Sequence, residues 1–302
     1  MGLVECVPNF SAGRDRVVID ALAQAVKSRD AVSLLDVQAD PDHNRCVLTF
    51  VGPAQEALEA ALAATRVATG LIEMEKHSGS HPRIGATDVV PFVPVAGTSL
   101  DECVLLARQL GARIAAELDI PVYLYGAAAV RPGRVNLADI RRGQYEALKG
   151  EIALPERMPD FGPSRMHPTA GATVVGARLP MVAFNVYLGG LGVSEAKGIA
   201  RAVRERSGGL PRVQAIGLEV AGGQVQVSMN LLDTRTTSIW KAAAEVRRLA
   251  EQAGGHVTRT EVVGLVTLEA VASALTEALN CPGLSDQVLE ARLARDPAGL
   301  RP

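Results

Sequence analysis

The sequence of 302 residues gathers its reactive side chains most densely in Lys76-His77-Ser78-Gly79-Ser80-His81-Pro82-Arg83-Ile84-Gly85-Ala86-Thr87-Asp88. Two imidazoles, two cations and a carboxylate fall within this one segment, which joins a helix to a strand. Imidazole titrates near neutral pH, so such a loop can move a proton and hold an anion in the same place. The plain alternative is a hydrated connection with no chemistry. His77 and His81 stand at i, i+4, the spacing that puts two metal ligands on one helix face. Here Gly79 interrupts, Pro82 follows and no third ligand stands beside them, so no metal is expected.

Two further segments have weaker patterns. Asp36-Val37-Gln38-Ala39-Asp40-Pro41-Asp42-His43-Asn44-Arg45 is a turn with three carboxylates, but it lacks the alternating ligands and closing Glu of a calcium loop. Gly189-Gly190-Leu191-Gly192-Val193-Ser194 lies between a strand and a helix without a GxGxxG or P-loop pattern, and reads as a turn with a helix cap. No GxSxG elbow occurs, so covalent catalysis by a serine has no support.

Periodicity supplies the elements that must hold these segments. In the first half, strand Leu3 to Val7, helix Arg14 to Lys27, strands Ser33 to Val37 and Arg45 to Val51, helix Pro53 to about Lys76 and strand Asp88 to Val95 give β-α-β-β-α-β. The second half repeats the order with strand Met181 to Leu188, helix Ser194 to Arg206, strands Val213 to Val220 and Gln224 to Leu231, helix Ser238 to Ala253 and strand His256 to Val263. An α/β (α+β) fold of two ferredoxin-like subdomains, duplicated and with facing sheets, is therefore expected, over residues 1–178 and 179–302. An extra helix (Ser99 to Leu118), a strand ending at Gly126 and a Pro- and Gly-rich stretch separate the copies, and a last helix runs from about Leu268 to Leu279.

Composition narrows the function class. Hydrophobic residues make up 48% of the chain and aromatics 3%, so the core must be built from Ala, Val and Leu. Thirty-one basic and 33 acidic residues interleave to a net charge of -2, which removes the footprint of a nucleic-acid binder. No apolar run is long enough to span a membrane and MGLVECVPNF is not a secretory leader, so no membrane partner and a cytoplasmic location are expected. Cys6, Cys46, Cys103 and Cys281 show no CxxC spacing and read as reduced, buried thiols.

Six ordered stretches resemble the formiminotransferase family, the N-terminal module of formimidoyltransferase-cyclodeaminase and its free-standing relatives. They are Val4-Glu5-Cys6-Val7-Pro8-Asn9-Phe10-Ser11, Asn44-Arg45 with Thr49-Phe50-Val51-Gly52, His81-Pro82-Arg83-Ile84-Gly85-Ala86 with Asp88, Pro121 to Gly126, Pro159 to Pro163, and Gly171 to Val174 with Ala183-Phe184-Asn185. The resemblance spans nearly the whole chain and weakens after about residue 190. It implies transfer of a formimino group between N5 of tetrahydrofolate and glutamate by a homodimer, with folate and glutamate derivatives as its partners and no cyclodeaminase module following. The family's catalytic histidine falls on His81. Its folate-contacting loop falls on Gly162, Pro163, Ser164, Arg165, Met166, His167, Pro168, Thr169, Ala170 and Gly171, where the vertebrate members carry an aromatic-containing stretch. Gln38 stands where they have Asp. Asn9, Asp36, Asn44, Arg45, Tyr125, Gly126, Arg178 and Asn185 complete the expected substrate site.

The chemistry suits these residues. Transfer passes through a tetrahedral carbon, with one nitrogen losing a proton as another gains one, and a single histidine can do both. Arg83, or else Arg45 or Arg178, can fork onto a substrate carboxylate. Asp88 or Asp36 is placed to orient His81. Formyl transfer, 5-formyltetrahydrofolate handling, or folate binding without turnover would use the same pocket.

Overall fold

A computed structural model describes residues 2–295. Its contacts divide the chain between Leu179 and Pro180. The first unit contains β1 (Leu3–Cys6), β2 (Asn9–Phe10), α1 (Arg16–Lys27), β3 (Ser33–Asp40), β4 (Arg45–Pro53), α2 (Ala54–Leu71), β5 (Thr87–Pro94), α3 (Leu100–Leu118), β6 (Val122–Gly126), the short helices α4 (Leu137–Ile140) and α5 (Gln144–Glu151), and β7 (Thr173–Ala177). Its seven strands form one sheet in the order β1-β4-β2-β5-β7-β6, with β3 on the far side of β4. The expected four-strand copy is thus enlarged. Helix α3 crosses over, and β7 and β6 extend the sheet parallel to β5.

Local chemistry starts and stops these helices. The Asp15 carboxylate accepts from the backbone N–H of Val17 and Val18 and caps α1, whose Val18, Ile19, Leu22 and Val26 are buried. Ser99 and Glu102 close a capping box on α3. The Ala-rich α2 buries Ala57, Ala60, Ala61, Ala64 and Ala68, small side chains that let it lie close on the sheet. It ends at Leu71, short of the expected Lys76, and a single 3-10 turn at Met74–Lys76 leads into the histidine segment.

Strand alternation sorts the sheet into two faces. Cys6, Phe10, Cys46, Leu48, Phe50, Val90 and Phe92 meet α1, α2 and α3 in the main core. Cross-strand register puts Asp40 beside Arg45, Gln38 beside Val47, Asp36 beside Thr49 and Asn9 beside Val47 and Val89, all on the opposite face. Part of that face is covered by Ile140, Leu148 and Ile152, which pack with Ile84, Val89, Tyr123, Tyr125 and Val174.

The second unit contains β8 (Val182–Gly189), α6 (Val193–Val203), β9 (Val213–Val220), β10 (Gln224–Leu231), α7 (Ile239–Gln252), β11 (His256–Val263), α8 (Leu268–Ala278) and α9 (Leu289–Arg295). Its strands form an antiparallel sheet in the order β11-β8-β10-β9. The β-α-β-β-α-β order read from the sequence is the order found. Among the described residues no helix is long and apolar enough to cross a membrane. All four cysteines are free, with Cys281 partly exposed where a buried thiol was expected.

Candidate functional site

The β3–β4 turn and the segment after α2 cross at close range in the first unit. Asp40 Oδ1 accepts from the backbone N–H of Asp42 and His43, both at 2.9 Å, and Asn44 takes a left-handed φ of 48°. Asn44 then ties three segments together: its Oδ1 accepts from Gly13 N at 3.0 Å, its Nδ2 donates to Ser78 O at 3.0 Å, and its carbonyl lies 2.9 Å from His77 Nε2. A Cβ at Gly79 would come within 2.2 Å of the His43 carbonyl, so only glycine permits this crossing.

The far end of the histidine segment is braced from behind. A Cβ at Gly85 would sit 1.9 Å from the Ala172 carbonyl, while Ser11 Oγ donates to Gly85 O at 2.7 Å and Ala86 N donates to Ala170 O at 2.8 Å. Asp88, only 1% exposed, accepts from Ile84 N at 2.8 Å and pairs with Arg141 at the end of α4.

These elements border a small, partly open pocket lined by Ser11, His43, Asn44, Arg45, His77, His81, Arg83 and Asp88. Inside it, Arg45 Nη1 lies 2.6 Å from His81 Nε2. A guanidinium can only donate, so Nε2 is the acceptor and the neutral ring carries its proton on Nδ1. That Nδ1 is buried and makes no aligned hydrogen bond. Burial, then Arg45, Arg141 and His43, push the His81 imidazole far below its ordinary range, with the Pro82 backbone opposing.

Arg45 is the unusual cation. Its Nε is buried without a partner, and among the described residues no carboxylate lies within ion-pair distance of it. Burial and then Arg141 hold its own pKa down, opposed by Asp88 and Asp40. Arg141 Nε is likewise buried without a partner. Asp88 is paired with Arg141 and acts on Arg45, as Asp40 does, only from beyond ion-pair distance.

The other expected site residues have partners of their own. Arg83 lines the pocket, but Glu146 grips its guanidinium at 2.6 and 2.9 Å, Gln144 accepts from it at 3.0 Å, and His77 Nδ1 accepts from its Nε at 3.2 Å. The Arg83 charge is thus matched by Glu146, whereas Arg45 has no carboxylate at ion-pair distance. His77 has both ring nitrogens engaged and acts as a strut. Asp88 contacts Ile84 and Arg141 and orients the loop, not the His81 ring. Asp36 lies on β3 beside Thr49, away from the lining.

Residues Gly162 to Gly171 also stay outside the lining. His167 and Gly171 exchange two backbone hydrogen bonds, and His167 Nδ1 accepts from Ala170 N at 3.0 Å and Thr169 N at 3.3 Å. Met74 N donates to Thr169 O, so this loop buttresses the histidine segment. Arg165 pairs with Asp119 in solvent, and Met166 packs on the core. Gly126 closes β6 with φ 64°, while the Arg178 guanidinium donates to Leu179 O at 3.1 Å and acts electrostatically on Tyr125 and Glu5. Asn185 belongs to the second unit and donates to Glu261. His43, Ser11 and Arg141 belong to the site without having been singled out from sequence. His43 stood in a segment read as an acidic turn, Ser11 closes the VPNFS stretch, and Arg141 had no motif around it.

Residues 3–178 match the family described as the formiminotransferase domain, N-terminal subdomain, and residues 183–279 match the formiminotransferase domain. Formimidoyltransferase-cyclodeaminase of Rattus norvegicus is 48% identical over 280 residues, which cover 90% of this chain and 51% of that protein. The chain thus spans about half the length of this relative. Glutamate formimidoyltransferase of Thermoplasma acidophilum is 44% identical over 98% of both chains, and that of Streptococcus pyogenes serotype M1 is 42% identical over 89% and 90%.

Proposed function

Because the chain belongs to the formiminotransferase family, we propose that it transfers a formimino group between N-formimino-L-glutamate and tetrahydrofolate, giving 5-formiminotetrahydrofolate and L-glutamate, with His81 as an acid–base residue. The observation that carries this reading is the buried contact between His81 and an Arg45 that lacks a carboxylate. A substrate carboxylate that draws off the Arg45 guanidinium frees Nε2 and cancels part of the positive field on the ring. His81 then becomes basic only when substrate is bound. It can take the proton that N5 must lose as the new N–C bond forms. The tetrahedral carbon then collapses with release of glutamate.

Removing the cation tests the docking step. Arg45→Ala is expected to raise KM for formiminoglutamate by roughly ten- to a hundredfold, the loss of one charge-assisted contact of about 1.5–3 kcal/mol. KM for the folate should move less, and unchanged KM for both substrates would return Arg45 to a structural role. The transfer itself is tested by assaying the full chain with formiminoglutamate and with formylglutamate against tetrahydrofolate. Turnover of the formyl compound alone would favour the formyl-transfer reading.

No metal takes part in this reading. A metal ion would face Arg45 and Arg141 across His81, and among the described residues no group of three or more His, Cys, Asp or Glu side chains is arranged to hold one. Activity should therefore survive exhaustive dialysis against EDTA, and loss reversed by zinc would overturn the claim. We take residues 1–178 and 179–302 as the two subdomains of a cytoplasmic homodimer, as the family resemblance implies. Sedimentation of the purified chain checks the oligomeric state.

A further inference from the structure

We propose that His43 is a second catalytic residue, the acid that delivers a proton to the departing glutamate nitrogen while His81 removes one from folate N5. This rests on the transfer reading above. His43 and His81 line the same pocket with ring centroids 5.7 Å apart and planes tilted by 58°. His43 Nδ1 lies 2.7 Å from Asp40 Oδ2, at an angle that makes the contact one of charge rather than an aligned hydrogen bond. Asp40 is therefore a counter-ion whenever the ring carries a proton, and its other oxygen fixes the turn through the backbone N–H of Asp42 and His43. Arg45 gives His81 the opposite environment. Two imidazoles in one pocket, one beside a carboxylate and one beside a guanidinium, are suited to opposite ends of a proton transfer.

The protons and bonds balance. N5 attacks the formimino carbon, the N5–C bond forms as the C=N π pair moves onto the formimino nitrogen, and neutral His81 takes the proton from N5. That pair then re-forms C=N as protonated His43 gives its proton to the glutamate nitrogen and the C–N bond to glutamate breaks, which lets glutamate leave as an amine. His81 is left charged and His43 neutral, and one proton passed across the pair, directly or through solvent, restores both.

Other charged or titratable groups around the pair are Arg45 and Asp40 at the turn, His77 and Arg83 on the histidine segment, Asp88 at the start of β5, Arg141 after α4 and Glu146 on α5. Arg14, which donates to Pro41 O, approaches from the N-terminal loop. Of these, Asp40 is the carboxylate paired with His43.

The test is turnover by variants of the full-length protein. His43→Asn should lower kcat on the order of a hundredfold, the low end of the range for a general acid. KM for formiminoglutamate should stay within about twofold, since no binding contact is removed. Asp40→Asn keeps an oxygen for the turn but removes the counter-charge, so kcat should fall while KM for formiminoglutamate holds. Exogenous imidazole should restore part of the turnover of a His43→Gly variant. A His43→Asn protein that melts like wild type and keeps kcat within about threefold would overturn this inference. Absence of formimino transfer by the wild type would instead overturn the transfer reading, so the two failures are distinguishable.

Discussion

His81→Ala should lose about 10²–10⁴-fold in kcat for formimino transfer, the range associated with removing a general acid–base group, while its affinity for tetrahydrofolate stays near that of wild type. The pocket makes a sharper statement than the magnitude alone. In the free protein, burial and Arg45 hold the imidazole neutral far below its ordinary range. A base is active above its pKa and fails as pH falls through it, so the acidic limb of kcat/KM, which reports the free enzyme, should lie well below pH ~6.5. Once a carboxylate occupies Arg45, the ring is more easily protonated, and the acidic limb of kcat should lie at higher pH than that of kcat/KM. His77→Ala is the contrast. Its ring braces Asn44 and Arg83, so its loss should appear mainly as a lower melting temperature. A folded His81→Ala protein that keeps kcat within about threefold would remove His81 from the chemistry and leave folate binding without turnover as the better reading.

How far the sequence reveals such a site depends on how local its signals are. Asp15, Ser99 and Glu102 mark helix starts within a few residues of themselves, and α1 and α3 begin there. The β-α-β-β-α-β order of the second unit follows from strands and helices with clear periods. The histidine segment was legible for the same reason, since its polar groups are contiguous. What failed was either short or long-range. Strand β7 is five residues, with Gly171 just before it and Gly176 inside it, and α4 is a single turn, so neither offers a full period to read. Arg141 was lost with α4. The pairing of Arg83 with Glu146 joins positions that no local pattern connects. The contact of Arg45 with His81 depends on β4 pairing with β3 and on Gly79 admitting the turn, and these are facts of packing. The Ala-rich run of α2 predicted a helix to Lys76, but its backbone opens at Ile72 to supply the loop that holds His81.

Asp88→Ala should be the most damaging single change to stability in the first unit. The carboxylate is 1% exposed and does two jobs at once, accepting from Ile84 N and neutralising Arg141. Its removal leaves a buried N–H without an acceptor and takes the ion-pair partner from Arg141. Breaking a buried ion pair by deleting one partner costs about 3–5 kcal/mol, because the remaining charge stays desolvated. For a unit of this size each kcal/mol lowers the melting temperature by roughly 2–4 °C, so the drop should fall between roughly 6 and 20 °C. Asp88→Asn separates the two jobs, since the amide oxygen can still accept from Ile84 while the charge is gone, and it should melt between wild type and Asp88→Ala. The loss of the Asp88 charge beside Arg141, with Arg45 close by, also predicts how the variants respond to ligand. A dicarboxylate such as glutamate supplies the missing anion, so saturating glutamate should raise the melting temperature of Asp88→Asn by more than it raises that of wild type. Calorimetry of the three proteins with and without glutamate decides the matter. If Asp88→Ala melts within about 2 °C of wild type, less than a 1 kcal/mol change would produce, the two arginines are not held together by Asp88. If glutamate stabilises wild type and Asp88→Asn equally, the carboxylate docks elsewhere than on Arg45 and Arg141.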